Sequence, residues 1–198
     1  MSPRNSADAA LATRETILAE AVDRASLEGL EGITIGRLAG SLRMSKAGVI
    51  GQFGNKEELQ LATLEAAVER FRRRIWEPAA SKPEGIRRLR AIARGWLAYL
   101  EGDVFPGGCF LTAAAAEFDG RPGRVRDEVG QVLTLWHRVL EREARIAIQA
   151  GDLEGDAAQV AFEMNAVAMA VNQGVQMRHD RAAAKRGRVA MKRILGGG

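Results

Sequence analysis

The chain has 198 residues, 46% apolar and 27% charged, with a formal net charge of +4 and a pI near 9.7. That balance describes a globular chain of one or two domains, long enough to bury a core without disulfides or a structural metal. A single cysteine, Cys109, excludes an internal disulfide and fits a reducing cytoplasm; no signal-type apolar run opens the chain, and no stretch of about eighteen apolar residues predicts a membrane span.

Ala, Leu, Arg and Glu dominate while β-branched and aromatic residues are sparse, which favours helix throughout. Residues 1–11 show no periodicity and are expected to be mobile, as is the glycine tail at 196–198. The first predicted helix covers residues 13–27, with Thr13 as N-cap and a stripe of Ile17, Leu18, Ala21, Val22 and Ala25. Gly29 and Gly32 end it. Thr34 caps a short second helix that turns Ile35, Leu38, Ala39 and Leu42 inward. Arg43 and Met44 form a tight connection, and Ser45 caps a third helix over 46–53 with Val49, Ile50 and Phe53 as its larger apolar members. Asn55 caps a long fourth helix, with Glu57 and Glu58 in the first turn, where the helix dipole favours carboxylates. Its expected buried positions are Leu59, Ala62, Ala66, Val68 and Phe71, and it is expected to end at Trp76, before Pro78. Helices over 84–100, 109–118, 124–149, 157–177 and 182–195 bring the expected total to nine. Nothing reads as strand, so the predicted fold is all-α.

Two short helices joined by a tight turn and packed on a preceding helix make a unit that can enter the DNA major groove. The inserted helix must present a small or polar outer face, and Ser45, Lys46, Ala47, Gly48, Gly51 and Gln52 fall there. Thr34 and Lys56 lie at helix starts, where free backbone N–H groups bind a phosphate well. No carboxylate lies between Glu31 and Glu57, whereas Arg37, Arg43, Lys46 and Lys56 all do, so the segment is polarised toward phosphates.

Residues 13–71 resemble the DNA-binding head of the tetracycline-repressor family of bacterial regulators. The likeness rests above all on Thr34-Ile35-Gly36-Arg37-Leu38-Ala39 and on the run from Ser45 through Gly54-Asn55-Lys56 to Leu59. It implies a ligand-responsive homodimer on a palindromic operator, with a helix-turn-helix head at 1–58 and a ligand-binding and dimerisation body at 59–198. Carried over, Thr34, Ser45 and Lys56 fall on phosphate-contacting positions, with Arg43 among the DNA-binding residues. Lys46, Ala47, Gly48, Gly51 and Gln52 fall on groove-facing ones. The sequence departs from the family at Ile50, where an aromatic often contacts a phosphate, and at Gln52, where His is common. Pro106-Gly107-Gly108-Cys109-Phe110, Glu117-Phe118 and Arg121-Pro122-Gly123 resemble a body type found in part of the family.

In the body, Trp96, Tyr99, Phe110, Ala114, Phe118 and Trp136 are the expected pocket residues. Small residues between Met and Val on the helix at 157–177 permit close helix approach, and Phe162, Met164, Val167, Val171, Gly174 and Val175 are the expected dimer contacts. Arg72-Arg73-Arg74 and the cations Lys185, Arg186 and Arg188 read as solvated faces, and Cys109 as a small core residue. The expected partners are double-stranded DNA, a small-molecule effector and a second copy of the chain, with no membrane. No nucleophile–base pair, phosphate loop or metal-ligand spacing is present, so neither catalysis nor a cofactor is expected. Two alternatives stay open: a family member that has lost DNA binding and acts as a protein-interaction dimer, and a helical enzyme or carrier using the body pocket.

Overall fold

The computed structural model describes residues 3–102 and 104–196. The described residues are all-α, with α1 (Pro3–Glu28), α2 (Ile35–Ser41), α3 (Lys46–Phe53), α4 (Lys56–Phe71), a π-helical turn (Arg72–Trp76), α5 (Glu77–Ala80), α6 (Ile86–Glu101), α7 (Phe110–Phe118), α8 (Arg124–Gln149), α9 (Ala157–Arg178) and α10 (Ala183–Ile194). Because α4, the π turn and α5 run on without a break, these form nine continuous rods, the number expected. The chain divides into two compact units, residues 1–68 with 105–129 and residues 69–104 with 130–198. The first therefore holds α7 and the start of α8 as well as the expected head.

In the first unit, α1 begins about ten residues earlier than its capping pattern suggests, so the segment expected to be mobile is helical from Pro3. The Ala9-Ala10-Leu11-Ala12 run has high intrinsic helix propensity. Thr13 is an interior residue, not a cap: its Oγ1 donates to Ala9 O at 2.8 Å, and Thr16 does the same to Ala12 O at 2.9 Å. Ile17, Ala21, Val22 and Ala25 are buried as expected, and Leu30 and Ile33 continue this core past the helix end. The turn after α1 is tied down from far along the chain. Both Glu117 carboxylate oxygens accept backbone N–H groups, from Leu30 at 2.7 Å and Glu31 at 3.0 Å. Gly29, at φ +84°, leaves room for that carboxylate, since a Cβ there would stand 2.7 Å from Glu117 Oε1. Gly107 donates to Ser26 Oγ at 3.1 Å, and its missing Cβ would lie 1.6 Å from Ser26 O. Arg124 pairs with Glu57 at 3.0 Å and Glu58 at 2.5 Å, fixing the start of α8 to the first turn of α4.

In α4, Leu59, Thr63, Ala67 and Phe71 are buried at four-residue intervals, with Leu64 also inside. Leu59, Ala62 and Phe71 are buried as expected, whereas Ala66 and Val68 are only half-buried and Ala67 takes the inward place between them. In the second unit Ile75 and Ala79 continue the same interval through the π turn, whose extra residue per turn helps sustain it. Pro78 does not stop the helix as expected. It sits in the first turn of α5, and the i→i−5 bond of the π turn, from Glu77 N–H to Arg72 O, precedes it. The carboxylate of Glu143 is fully buried. It accepts Gly85 N–H at 2.9 Å and contacts Arg88 at 3.0 Å and Arg142 at 2.8 Å, joining the start of α6 to α8. Residues 197 and 198 of the expected glycine tail lie outside the described residues.

Candidate nucleic-acid interface

The α2–turn–α3 unit is built by local chemistry. Thr34 Oγ1 accepts from Arg37 N–H at 3.2 Å and Ser45 Oγ from Gly48 N–H at 3.0 Å, so both expected N-caps form. Between the helices, Arg43 N–H donates to Gly40 O at 3.3 Å and Met44 N–H to Ala39 O at 2.8 Å. This is a Schellman closure in which Arg43, at φ +54°, holds the left-handed position that glycine usually takes. The cost of such a residue is roughly 1–2 kcal/mol, and it turns a cation outward at the turn.

α3 buries Val49 and Phe53. Ser45, Lys46, Ala47, Ile50 and Gly51 are exposed, and Gly48 and Gln52 are half-buried. A Cβ at Gly51 would meet nothing within 4 Å, while one at Gly48 would stand 3.2 Å from the capping Ser45 Oγ. Lys46 leans across α2, where a Cβ on Gly36 would lie 3.4 Å from its Cε. The C-terminal end of α3 is fastened by Arg14 of α1, which donates to Gln52 O at 2.6 Å and lies 4.4 Å above the Phe53 ring. Arg14 gives no signal in the sequence, since its hydrogen-bond partner Gln52 is 38 residues away.

The carboxylate-free run does not leave all its cations free. Arg37 is paired with Glu28, and Lys56 Nζ lies 2.6 Å from Glu31 Oε1. Glu31 also accepts from Gln60 Nε2 at 2.8 Å, and these two partners, Lys56 first, hold its carboxyl below the ordinary range. Arg43 and Lys46 have no carboxylate partner among the described residues. Asn55 caps α4 as expected, its Oδ1 accepting from Glu58 N–H at 2.9 Å.

The expected pocket residues divide. Trp96, Tyr99 and Trp136 gather edge-to-face around Phe71, with ring centroids 6.3, 5.5 and 5.0 Å from it. Trp96 Nε1 and Trp136 Nε1 are buried there without an acceptor among the described residues. Phe110, Ala114 and Phe118 instead belong to the core of the first unit. Phe71 is the member that the sequence reading missed, because it was counted only as a buried position of α4.

The expected dimer contacts also divide. Met164, Val171 and Gly174 are buried within the chain, which corrects their assignment to a dimer surface. The small residues serve packing inside the second unit: a Cβ on Gly174 would stand 2.7 Å from Ala183 Cβ, and one on Gly187 2.5 Å from Val171 Cγ2. Val167 and Val175 are half-buried. Phe162 is 61% exposed, and Met169 and Met177 are exposed on the same helix. Arg72 and Arg73 pair with Glu69, as a solvated run does.

These features define a helix-turn-helix protein. Residues 85–191, more than half of the chain, match the family described as the tetracyclin repressor-like C-terminal domain. The chain belongs to the tetracycline-repressor family of transcriptional regulators. Its fold is similar to that of a TetR regulator from Chloroflexus aurantiacus, at 24% identity and a TM-score of 0.79, covering 95% of this chain and 94% of that one. A TetR-family regulator from Cytophaga hutchinsonii matches at 20% identity and a TM-score of 0.81, covering 92% of each chain. AibR, solved with isovaleryl coenzyme A and operator DNA, matches at 19% identity and 0.75, covering 93% and 99%. No curated protein sequence matches the chain.

Proposed function

We propose that the chain represses transcription as a homodimer on a palindromic operator, with residues 1–58 as head and 59–198 as body, until a small molecule in the body weakens its grip. The outer face of α3 carries the reading: Lys46, Ala47, Ile50 and Gly51 are exposed while Val49 and Phe53 hold the helix down. Such a face lets the backbone approach base edges, and Gln52 can bond adenine. Ile50, 44% exposed, offers an apolar contact for a thymine methyl where it cannot bond a phosphate. Thr34, Arg43, Ser45 and Lys56 flank that face and fix register on phosphates. Lys56 must leave Glu31 to do so. Phe162, Met169 and Met177, with the half-buried Val167 and Val175, supply the apolar face that a second copy covers. Two heads would then read half-sites about 34–36 Å apart or wider.

The effector site is the cluster of Phe71, Trp96, Tyr99 and Trp136. Two buried indole N–H groups without acceptors suit a largely apolar ligand carrying a carbonyl or similar oxygen. AibR was solved with both a ligand and operator DNA, which supports the same two-partner logic here. The ligand must favour one head spacing over the other by a few kcal/mol to act.

The test is selection from random duplexes at about 150 mM salt, a concentration that suppresses non-specific binding. Enrichment of a palindrome is expected, with the enriched site lost in Lys46→Ala. A folded, dimeric chain that enriches nothing, alone or with candidate ligands, would leave the interaction-dimer reading in its place.

A further inference from the structure

In the first unit Lys56 is held by Glu31, its Nζ 2.6 Å from Oε1, so it reaches a phosphate only by leaving a carboxylate behind. Glu31 would then keep one side-chain bond, at Oε2 from Gln60 Nε2 at 2.8 Å. Its Oε1 would stand unanswered beside an arriving phosphate, where like charges repel. The exchange is easy only if a second cation takes Oε1 over.

The corner between α7 and α8 carries such a cation. Glu117, at the end of α7, accepts Glu31 N–H at 3.0 Å and so brings the corner against residue 31. The chain then folds back on itself: Arg121 N–H donates to Phe118 O at 3.1 Å. The Arg121 guanidinium stands 5.9 Å from the centroid of the buried Phe118 ring. Three residues further on, Arg124 pairs with Glu57 and Glu58 in the first turn of α4. Arg121 is therefore bracketed by one contact to residue 31 and another to the neighbours of Lys56. It is exposed and makes no ion pair among the described residues. Even so, after the bonds from Lys56 and Gln60, its charge helps to hold the Glu31 carboxyl below the ordinary range. The other glutamates around it are engaged, Glu28 by Arg24 and Arg37, Glu57 and Glu58 by Arg124, and Glu117 by two backbone amides. Asp119, two residues before Arg121, is exposed and makes no ion pair with it.

We infer that Arg121 is a positioning residue for DNA binding: when Lys56 swings from Glu31 to a phosphate, Arg121 takes its place on Glu31 Oε1 while Gln60 keeps Oε2. Arg121 acts through Lys56 and does not itself touch DNA. The guanidinium fork suits a carboxylate already bonded on one side, because its donors are several and fixed in direction. The inference rests on the reading of Lys56 as a phosphate contact.

The test is a double-mutant cycle read by fluorescence-polarisation titration on the selected operator. Arg121→Gln should weaken binding about two- to fivefold, the worth of one exposed ion pair, with an unchanged melting curve. Arg121→Lys should recover most of that loss. In the Glu31→Gln background, Arg121→Gln should change nothing, because no carboxylate is left to answer. Arg126→Gln, the same charge change at an exposed position of the same corner, should have little effect. Arg121→Met, which keeps the aliphatic stem over Phe118, serves if Arg121→Gln melts early. Unchanged affinity in Arg121→Gln refutes the relay. So does a loss that persists in the Glu31→Gln background, which would give Arg121 to a phosphate or to Asp119, and so does an equal loss in Arg126→Gln. A wild-type chain that selects no duplex overturns the DNA-binding reading itself, whereas a chain that selects one but fails the cycle overturns the relay alone.

Discussion

Gly51→Ala separates folding from DNA binding because it moves the two in opposite directions. Gly51 lies inside α3, and a Cβ added there meets nothing within 4 Å. Alanine is favoured over glycine in a helix interior by about 1 kcal/mol, chiefly because the unfolded chain loses less freedom. For a chain of this size that is a rise in melting temperature of roughly 2–4 °C. The same empty space is what the proposed interface fills with base edges. A methyl group there has to push α3 back, at about 1–3 kcal/mol, the scale of one mismatched base pair, or roughly 5- to 150-fold in affinity. Thermal melting and fluorescence-polarisation titration on the selected operator read the two effects side by side. A variant that melts higher and binds the operator as tightly as before would show that α3 does not face the bases. A variant that melts lower would show that the site is not open helix. Gly48→Ala is the contrasting case, since its Cβ would press the Ser45 cap at 3.2 Å and its gain should be smaller.

Other substitutions probe the rest of the site. Glu31→Gln frees Lys56 from an exposed pair worth about 0–1 kcal/mol, so operator affinity should rise up to about fivefold with a steeper salt dependence; titrations at three salt concentrations check this, and weaker binding would refute the competition between Glu31 and phosphate. Arg43→Gly relieves a left-handed arginine and should stabilise the chain by about 1 kcal/mol, while weakening operator binding and reducing its salt slope by about one; an unchanged slope would remove Arg43 from the interface. Arg14→Ala removes the 2.6 Å bond to Gln52 O and the contact over Phe53, so stability should fall by about 1–3 kcal/mol, with amide exchange accelerating more in α3 than in α1. Phe162→Glu should convert the dimer to monomer in light scattering with little change in monomer folding, because the side chain is 61% exposed in the single chain; an intact dimer would place the interface elsewhere.

The features legible in the sequence were those set by near neighbours. Thr34, Ser45 and Asn55 announce their caps because each accepts a bond from an N–H three residues ahead. The helix count followed from the breaks between them. What was hidden depends on distant partners. Glu28 and Glu31 precede the carboxylate-free run, yet they fold back onto Arg37 and Lys56 within it. Glu117 supports a turn 86 and 87 positions earlier. Pro78 read as a stop because the sequence does not show the π turn that precedes it. The pairing of Met164, Val171 and Gly174 with their own chain was invisible for the same reason: apolar residues look alike whether a second copy or α10 covers them.

The Gly107–Ser26 contact bears on how such a regulator can be recombined. The backbone at Gly107 sits so close to the end of α1 that no side chain fits there, and α7 then supplies the carboxylate that holds the turn before α2. A chimaera made by joining residues 1–58 to another body would therefore leave Leu30 and Glu31 with unanswered amides and the end of α1 bare. A graft that carries residues 105–129 along with the head preserves those contacts, so the transferable piece is two stretches of chain, not one.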